Sequence, residues 1–263
     1  MPLVNVDGVK INYEVHGEGD WVVMIGGYAS ANLSSWGAHL TEMAKSYKVL
    51  VLDNRGIGGS DVPDYPYTTQ MMARDTIAVM DHLKIERAHI FGKSLGGNMG
   101  QWIAIEQPDR VRSFVATSTF AKPDARRHQM VKWWMATAKH AGYDKLFPGL
   151  MSYFYTAEYY DANTESINRT VQNLIAAHRP LKGFFHMGDS ILTHDTWDRL
   201  GEIKAPTLLM GGEEDIITPP RHMVAMAARM PNAEARMFPK TLHGFLVEKP
   251  ETFKMISEWF AQH

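Results

Sequence analysis

The stretch Ile90-Phe91-Gly92-Lys93-Ser94-Leu95-Gly96-Gly97 decides the fold of this chain. It holds a serine with a glycine two residues away on either side. A strand-like run precedes it over residues 87–91, and a helix-like run follows over residues 98–106. A serine on a sharp strand-to-helix turn has strained backbone, which small neighbours permit, and its hydroxyl stands clear of the sheet. The motif therefore predicts a nucleophile, with the positive end of a helix dipole beneath it.

The same residues have two competing interpretations. Gly-x-Ser-x-Gly arises by chance quite often, so the pattern alone is weak. Gly92-Lys93-Ser94 also imitates the end of a phosphate-binding loop, but that loop needs a glycine five residues before Gly92, and position 87 is Arg. The strand–turn–helix context favours the nucleophile, and partner residues further along the chain decide the question.

The composition is that of an ordinary globular protein. The 263 residues are 45% hydrophobic and 21% charged, with a net charge of −2. This charge provides no basic surface for nucleic acid or an anionic membrane, and the absence of cysteine excludes disulfides and thiolate metal sites. A signal peptide and membrane-length apolar runs are absent from the sequence. We therefore expect a cytoplasmic protein that binds neither nucleic acid nor membrane; its oligomeric state, a homodimer included, stays open.

Buried strands alternate with helices at both ends of the chain. Residues 3–15 predict a β-hairpin around Asp7-Gly8, and continuous apolar runs predict strands that are buried on both faces. These strands are predicted at residues 21–25, 47–52, 87–91, 111–117, 206–210 and 233–238. Helices are predicted at about residues 35–45, 68–83, 98–106, 220–230 and 250–262. The alternation implies an α/β fold with a mostly parallel sheet and helices on both of its faces.

Residues 122–197 interrupt this alternation. Buried strands are missing there, aromatic and methionine residues are frequent, and the spacing predicts several short helices. We therefore divide the chain into an α/β core, residues 1–121 and 198–263, and an inserted helical cap, residues 122–197. A pocket between cap and core would be lined by a minority of the cap's apolar residues. The candidates are Trp133, Trp134, Met151 and Phe154.

Two later loops carry the partners that a serine nucleophile requires. A serine hydroxyl needs a base, and the base needs an orienting acid. The strand that ends at Met210 is followed by three acids, Glu213, Glu214 and Asp215, and the strand that ends at Phe238 is followed by His243. Because the carboxyl ends of parallel strands share one edge of a sheet, both loops are expected beside Ser94.

Together these motifs resemble the α/β-hydrolase fold family over essentially the whole chain. The resemblance rests on Asp53-x-Arg55-Gly56-x-Gly58-x-Ser60, the turn at Ser94, Gly212-x-x-Asp215 and His243-Gly244. It implies Ser94 as nucleophile, His243 as general base and then acid, and Asp215 as the acid that orients the histidine. Asp215 is preferred to Glu213 and Glu214 because the family aspartate precedes a short apolar pair and a proline, as in Ile216-Ile217-Thr218-Pro219.

The resemblance also implies an oxyanion hole made of two backbone amides. One amide is that of Leu95, directly after the nucleophile. The other lies after the first parallel strand, where the family usually has His-Gly and this chain has Gly26-Gly27. We assign Tyr28, the next residue, as the second donor; the alternative is that Tyr28 is only a wall of the pocket.

The predicted reaction is the hydrolysis of small carboxylic esters or lactones through an acyl-enzyme, without cofactor or metal. Enol-lactone hydrolases, carbon–carbon bond hydrolases of aromatic-degradation products and perhydrolases stay open as alternatives, as does a small-ligand receptor that keeps the triad. A dicarboxylate lactone would require a cation in the cap, for which Arg126, Arg127 and Lys132 are candidates. Asp53 and Arg55 are expected to form an ion pair that braces their loop.

Overall fold

The computed structural model describes residues 2–28, 36–176 and 180–263. Its strands form one eight-stranded sheet in the order β1-β2-β4-β3-β5-β6-β7-β8. β1 and β2 form the predicted antiparallel hairpin at one edge of the sheet. The six strands that run from β4 through β3 to β8 in the sheet order pair in parallel. The strands are β1 Leu3–Val6, β2 Val9–His16, β3 Trp21–Ile25, β4 Lys48–Leu52, β5 Ala88–Lys93, β6 Val111–Thr117, β7 Thr207–Gly212 and β8 Ala233–Phe238. The predicted α/β class with a mostly parallel sheet is confirmed.

Helices connect these strands. They are α1 Gly37–Met43, α2 Thr69–His82, α3 Leu95–Glu106, α4 Ala125–Ala141, α5 Tyr143–Phe154, α6 Ala157–Ala176, α7 Leu181–Leu192, α8 Pro220–Ala227, α9 Phe245–Glu248 and α10 Thr252–Gln262. The helix that was predicted from residue 35 begins at Gly37, and Ser35 itself lies outside the described residues. Over the described ranges, no helix combines the length and the apolar character needed to cross a membrane.

Hydrophobic layers cover both faces of the sheet. Along β3, Val23 and Ile25 belong to the layer under α2 and α3, while Val22 and Met24 belong to the layer under α1 and α10. Successive strand residues point to opposite faces, so a strand between two helical layers must be apolar on both. This requirement explains the continuous apolar runs from which the strands were predicted.

Among the described residues, the α-helices between β6 and β7 are α4 to α7, in the interval that was predicted to form a cap. Asp124 stands at the entrance to this interval. One carboxylate oxygen accepts the backbone N–H of Arg127 at 2.8 Å and thereby caps α4. The other oxygen binds Arg221 at 2.6 Å and His222 at 3.2 Å, both on α8. One carboxylate thus joins the first helix of the interval to the α/β core.

The loop after β4 is braced by a different ion pair from the one predicted. The Arg55 guanidinium donates two hydrogen bonds of 2.6 Å to the carboxylate of Asp75, on α2, and both side chains are buried. Asp53 instead accepts hydrogen bonds from Asn12 at 2.7 Å and from the backbone of Gly59 at 2.9 Å. The predicted Asp53–Arg55 ion pair is therefore wrong, because the partner of Arg55 comes from a helix 20 residues further along the chain.

Candidate active site

Ser94 stands on the turn between β5 and α3, at the carboxyl edge of the sheet. Its backbone has φ 54° and ψ −117°, a left-handed conformation that is strained for a residue with a side chain. Glycine is required around it: a Cβ at residue 96 would lie 1.9 Å from the carbonyl oxygen of Ile25, and one at residue 92 would lie 2.4 Å from that of Gly96. The Ser94 carbonyl accepts hydrogen bonds from Gly97 N at 2.8 Å and Thr119 Oγ1 at 3.0 Å, which hold the turn.

His243 lies in the loop between β8 and α9, with its imidazole between a hydroxyl and a carboxylate. Its Nε2 is 3.2 Å from Ser94 Oγ, and its Nδ1 is 2.8 Å from Asp215 Oδ2. The side chain is buried, with the residue 8% exposed. The fold therefore brings together three residues that were predicted from three separate loops, in an order that permits proton transfer away from the hydroxyl.

Asp215 is held by hydrogen bonds to both of its carboxylate oxygens. Oδ1 accepts the backbone N–H groups of Ile217 at 2.8 Å and Thr218 at 2.9 Å, and Oδ2 accepts the Thr218 hydroxyl at 2.5 Å besides His243. Burial opposes the charge, but His243 and the hydrogen bonds from His243 and Thr218 hold the pKa of Asp215 below its usual value. Glu213 and Glu214 are exposed. Of the three adjacent acids, Asp215 is thus the one that contacts the imidazole.

Thr218 is a site residue that the sequence did not reveal. Besides its bonds to Asp215, its hydroxyl lies 3.1 Å from His243 Nδ1. The available signal was its position three residues after an aspartate in a loop, where a backbone N–H commonly bonds back to the aspartate side chain. This local turn and His243 together hold the direction of the carboxylate.

The segments that carry Leu95 and Tyr28 both lie next to the nucleophile. Leu95 is the first residue of α3 and is buried. Gly27 packs directly against the nucleophile, since a Cβ at residue 27 would lie 3.2 Å from Ser94 Cβ. The amides of Leu95 and Tyr28 therefore belong to the two chain segments next to Ser94, and their role as oxyanion donors stays a prediction.

The four pocket candidates lie in different surroundings. The Phe154 ring packs edge-on against the His243 imidazole, with centroids 4.9 Å apart, and its carbonyl accepts Gly244 N at 2.8 Å. Trp134 stacks against Tyr28, with ring centroids 6.3 Å apart, and Met151, on α5, is buried. Trp133 is not brought to this group, because its side chain is 49% exposed. The buried side of α4 carries Arg127, Val131, Trp134 and Ala138, and Trp133 lies outside it. Its place in the pocket stays a prediction.

Arg127 alone, of the three candidate cap cations, is buried; Arg126 and Lys132 are exposed. Its guanidinium donates to the carbonyl of Ile217, in the loop of Asp215, and lies 4.0 Å from the centre of the Phe120 ring. Burial lowers the pKa of Arg127 to about 10, against the opposing charges of Asp215 and Asp124. Within the described part of the chain, its Nε has no hydrogen-bond partner. A buried cation thus stands beside the loop that carries the acid.

The described residues offer no cluster of metal ligands. In those ranges, no group of three or more histidine, aspartate or glutamate side chains is arranged to hold an ion.

Comparison with known sequences agrees with this geometry. A sequence model of the alpha/beta hydrolase fold matches residues 20–250. A protein of Caulobacter segnis that carries the provisional name carbamate hydrolase RutD is 28% identical over 258 residues, which cover 96% of each chain. The 3-oxoadipate enol-lactonase 2 of Acinetobacter baylyi is 28% identical over 214 residues, or 80% of this chain and 78% of that protein.

Solved structures share the whole fold. The enol-lactonase from Burkholderia xenovorans superposes with a TM-score of 0.90 at 24% identity, over 99% of this chain and 100% of that one. Est816, described as an N-acyl homoserine lactone degrading enzyme, superposes with a TM-score of 0.84 at 28% identity, over 98% and 100% of the two chains. At 24% identity, the first likeness is evidence for the fold alone.

Proposed function

We propose that this chain, which belongs to the α/β-hydrolase fold family, is a serine hydrolase that cleaves small carboxylic esters or lactones through an acyl-enzyme. The observation that carries the proposal is the hydrogen-bonded series from Ser94 Oγ through His243 to Asp215, with distances of 3.2 and 2.8 Å. A serine, a buried imidazole and a buried carboxylate in this order provide a nucleophile, a base and an acid that orients the base.

Acylation begins when Ser94 Oγ attacks the substrate carbonyl carbon while His243 Nε2 takes the hydroxyl proton. Asp215 accepts the Nδ1–H hydrogen bond and stabilises the imidazolium that forms. In the proposal, the Leu95 and Tyr28 amides bind the oxyanion of the tetrahedral intermediate. The intermediate collapses when the carbon–oxygen bond to the leaving group breaks and the Nε2 proton passes to the leaving alkoxide. The products are an alcohol and acyl-Ser94.

Deacylation repeats these steps with water in place of the serine. His243 takes a proton from water, and the oxygen attacks the acyl carbon. Collapse of the second tetrahedral intermediate breaks the bond to Ser94 Oγ, which recovers its proton from the imidazolium. The products are a carboxylic acid and free enzyme. For a lactone, the alcohol and the acid are two ends of one open-chain product.

The surroundings of the triad favour a compact substrate with an apolar part. Phe154 contacts the imidazole, and Tyr28 and Trp134 stack on each other beside the segment at Gly27. Aromatic walls with a few directed polar groups are usual for sites that bind small molecules. Relatives named for enol-lactone and N-acyl homoserine lactone chemistry support a cyclic ester as one substrate class.

Arg127 supports a second candidate, an ester or lactone that carries a free carboxylate. Its guanidinium is buried and its Nε lacks a partner among the described residues, so a substrate carboxylate would give Nε–H an acceptor and add to the charges of Asp215 and Asp124. The two candidates differ in one measurable respect. A carboxylate-bearing substrate should have a much lower KM than its neutral analogue of the same size.

The testing experiment uses a fluorophosphonate probe and p-nitrophenyl acetate and butyrate. Wild-type protein should be labelled at Ser94 and should hydrolyse both esters. Ser94→Ala should lose the label and about 10⁴-fold or more in kcat, because only binding and oxyanion effects would be left. A folded Ser94→Ala protein that retained most of its activity would refute covalent serine catalysis.

Ser113→Ala is a matched control. Ser113 is a buried serine that is also hydrogen-bonded to a histidine, with its Oγ 2.8 Å from His89 Nδ1. It lies near the beginning of β6, at the opposite end of the strands from Ser94. This variant should keep both the label and the activity, so any loss in Ser94→Ala would not be a general effect of removing a serine hydroxyl.

A further inference from the structure

Tyr28 joins the oxyanion segment, Gly26-Gly27-Tyr28, to two helices between β6 and β7. Its hydroxyl donates a hydrogen bond of 3.0 Å to the carbonyl of Phe184, on α7. Its ring stacks on the Phe184 ring, with centroids 4.6 Å apart, and on Trp134 of α4 at 6.3 Å. The side chain thus contacts α7 and α4, while its backbone belongs to the segment beside Ser94.

The surface of α7 is shaped to receive this hydroxyl. Gly188, one helical turn after Phe184, has no side chain, and a Cβ there would lie 3.0 Å from the Tyr28 hydroxyl oxygen. The same Cβ would lie 2.7 Å from Met135 Sδ. An alanine at 188 would therefore press on Tyr28 and on Met135 together.

The chain just before Tyr28 is fixed by close packing against the nucleophile turn. β3 pairs with β5 as far as Ile25 and Gly92. A Cβ at Gly27 would lie 3.2 Å from Ser94 Cβ, and one at Gly96 would lie 2.9 Å from the carbonyl oxygen of Gly26. The peptide between Gly27 and Tyr28 therefore lies between two fixed points, the packed glycines and the Tyr28 side chain.

We propose that Tyr28 is a positioning residue whose hydroxyl, bound to the Phe184 carbonyl, lets α7 set the direction of the amide that receives the oxyanion. This inference rests on the proposed function, because it presupposes a tetrahedral intermediate at Ser94. The Tyr28 amide can stabilise the transition state only if it is correctly directed, and the Tyr28 hydroxyl holds that direction. Binding of the substrate to the aromatic rings in the ground state does not involve the hydroxyl. Loss of the hydroxyl should therefore lower kcat and leave KM nearly unchanged.

The test is Tyr28→Phe, which keeps the stacked ring and removes the hydroxyl. Deleting an oxyanion donor outright costs about 10²–10³-fold in kcat, so a donor that is present but less well directed should cost roughly 3–30-fold. KM for p-nitrophenyl butyrate should change by less than about twofold. Binding of phenylboronic acid, which forms a tetrahedral adduct at an active serine, should weaken by a factor similar to that for kcat.

Tyr47→Phe is the matched control. The Tyr47 hydroxyl also donates to a backbone carbonyl, that of Ser257, at 3.0 Å. It belongs to the layer under α1 and α10, on the other face of the sheet from the helices that hold Tyr28. This variant should have the kcat and the phenylboronic acid affinity of the wild type.

A double-mutant cycle with Gly188→Ala adds a second measurement. In the wild-type background, the new Cβ presses on the Tyr28 hydroxyl; in Tyr28→Phe, that contact is gone. The contact with Met135 is common to both backgrounds and cancels in the cycle. Gly188→Ala should therefore lower kcat by a larger factor in the wild-type background than in Tyr28→Phe.

Two results would overturn the inference while leaving the proposed function intact. One is an unchanged kcat and phenylboronic acid affinity in Tyr28→Phe. The other is a loss confined to KM, which would make Tyr28 only a wall of the pocket. Wild-type protein that neither hydrolyses the esters nor binds phenylboronic acid would instead overturn the proposed function, and the inference with it.

Discussion

Asp215→Asn tests the acid of the triad without a change in side-chain shape. In the structure, Oδ1 accepts two backbone N–H groups, from Ile217 and Thr218, at 2.8 and 2.9 Å. An asparagine oxygen would keep this position, because the amide nitrogen cannot accept those hydrogen bonds. The new NH₂ group would then take the place of Oδ2, which lies 2.8 Å from His243 Nδ1. A donor would thus face the imidazole where an acceptor stood.

The size of the effect follows from the tautomer that this donor imposes. Nδ1 would have to accept the hydrogen bond, so the imidazole proton would move to Nε2, which lies 3.2 Å from Ser94 Oγ. Nε2 would then donate to the serine instead of accepting its proton. Loss of the correct tautomer should lower kcat by roughly 10²–10⁴-fold, or about 2.7–5.5 kcal/mol of activation free energy.

The assay is kcat for p-nitrophenyl butyrate, with Glu213→Gln and Glu214→Gln as matched controls. Both glutamates are exposed neighbours in the same loop, and exposed carboxylates contribute little, so each control should lose less than about tenfold. Circular dichroism and thermal unfolding establish that the three variants are folded. If Asp215→Asn stays within tenfold of the wild type while either glutamate variant is crippled, the assignment of the acid is wrong.

Two further predictions concern the pH dependence of stability and the charge of Arg127. Burial lowers the pKa of His89 to about 4. Between about pH 6.5 and pH 4, the unfolded chain therefore binds a proton at this residue before the folded protein does. The free energy of unfolding of the wild type should fall there by up to roughly 1.4 kcal/mol per pH unit as the pH drops. Urea unfolding should show that His89→Gln loses less free energy of unfolding between pH 7 and pH 5 than the wild type does. An equal loss in the two proteins would contradict the prediction. Arg127→Met should raise KM for a carboxylate-bearing ester roughly tenfold more than for its neutral analogue, and equal changes would exclude the carboxylate subsite.

Much of the sheet could be predicted because its central strands are buried on both faces. Trp21–Ile25 and Val111–Thr117 begin and end at the predicted residues. A strand between two helical layers must be apolar on both faces, and that pattern is local. The edge at which Ser94, Asp215 and His243 meet follows from the parallel order of these strands.

What could not be predicted depends on contacts between distant segments. The pairing of Arg55 with Asp75 required the orientation of α2, which the sequence near Arg55 does not contain. Trp133 and Trp134 are adjacent on α4, and which of them points inward depends on how the helix packs; Trp134 is buried and Trp133 is 49% exposed. Thr218 was missed because, besides its local bonds to Asp215, it contacts His243, which lies in a loop 25 residues further along the chain.

The helices between β6 and β7 contact three of the chain segments at the candidate site. Phe184 receives the Tyr28 hydroxyl, Arg127 donates to Ile217 in the loop of Asp215, and Phe154 contacts both His243 and Gly244. Attempts to change substrate preference by transplanting residues 122–197 from another hydrolase would therefore break these three attachments, besides the bonds from Asp124 to Arg221 and His222. A productive chimera would have to carry Tyr28, the segment around Ile217 and the histidine loop over from the same donor.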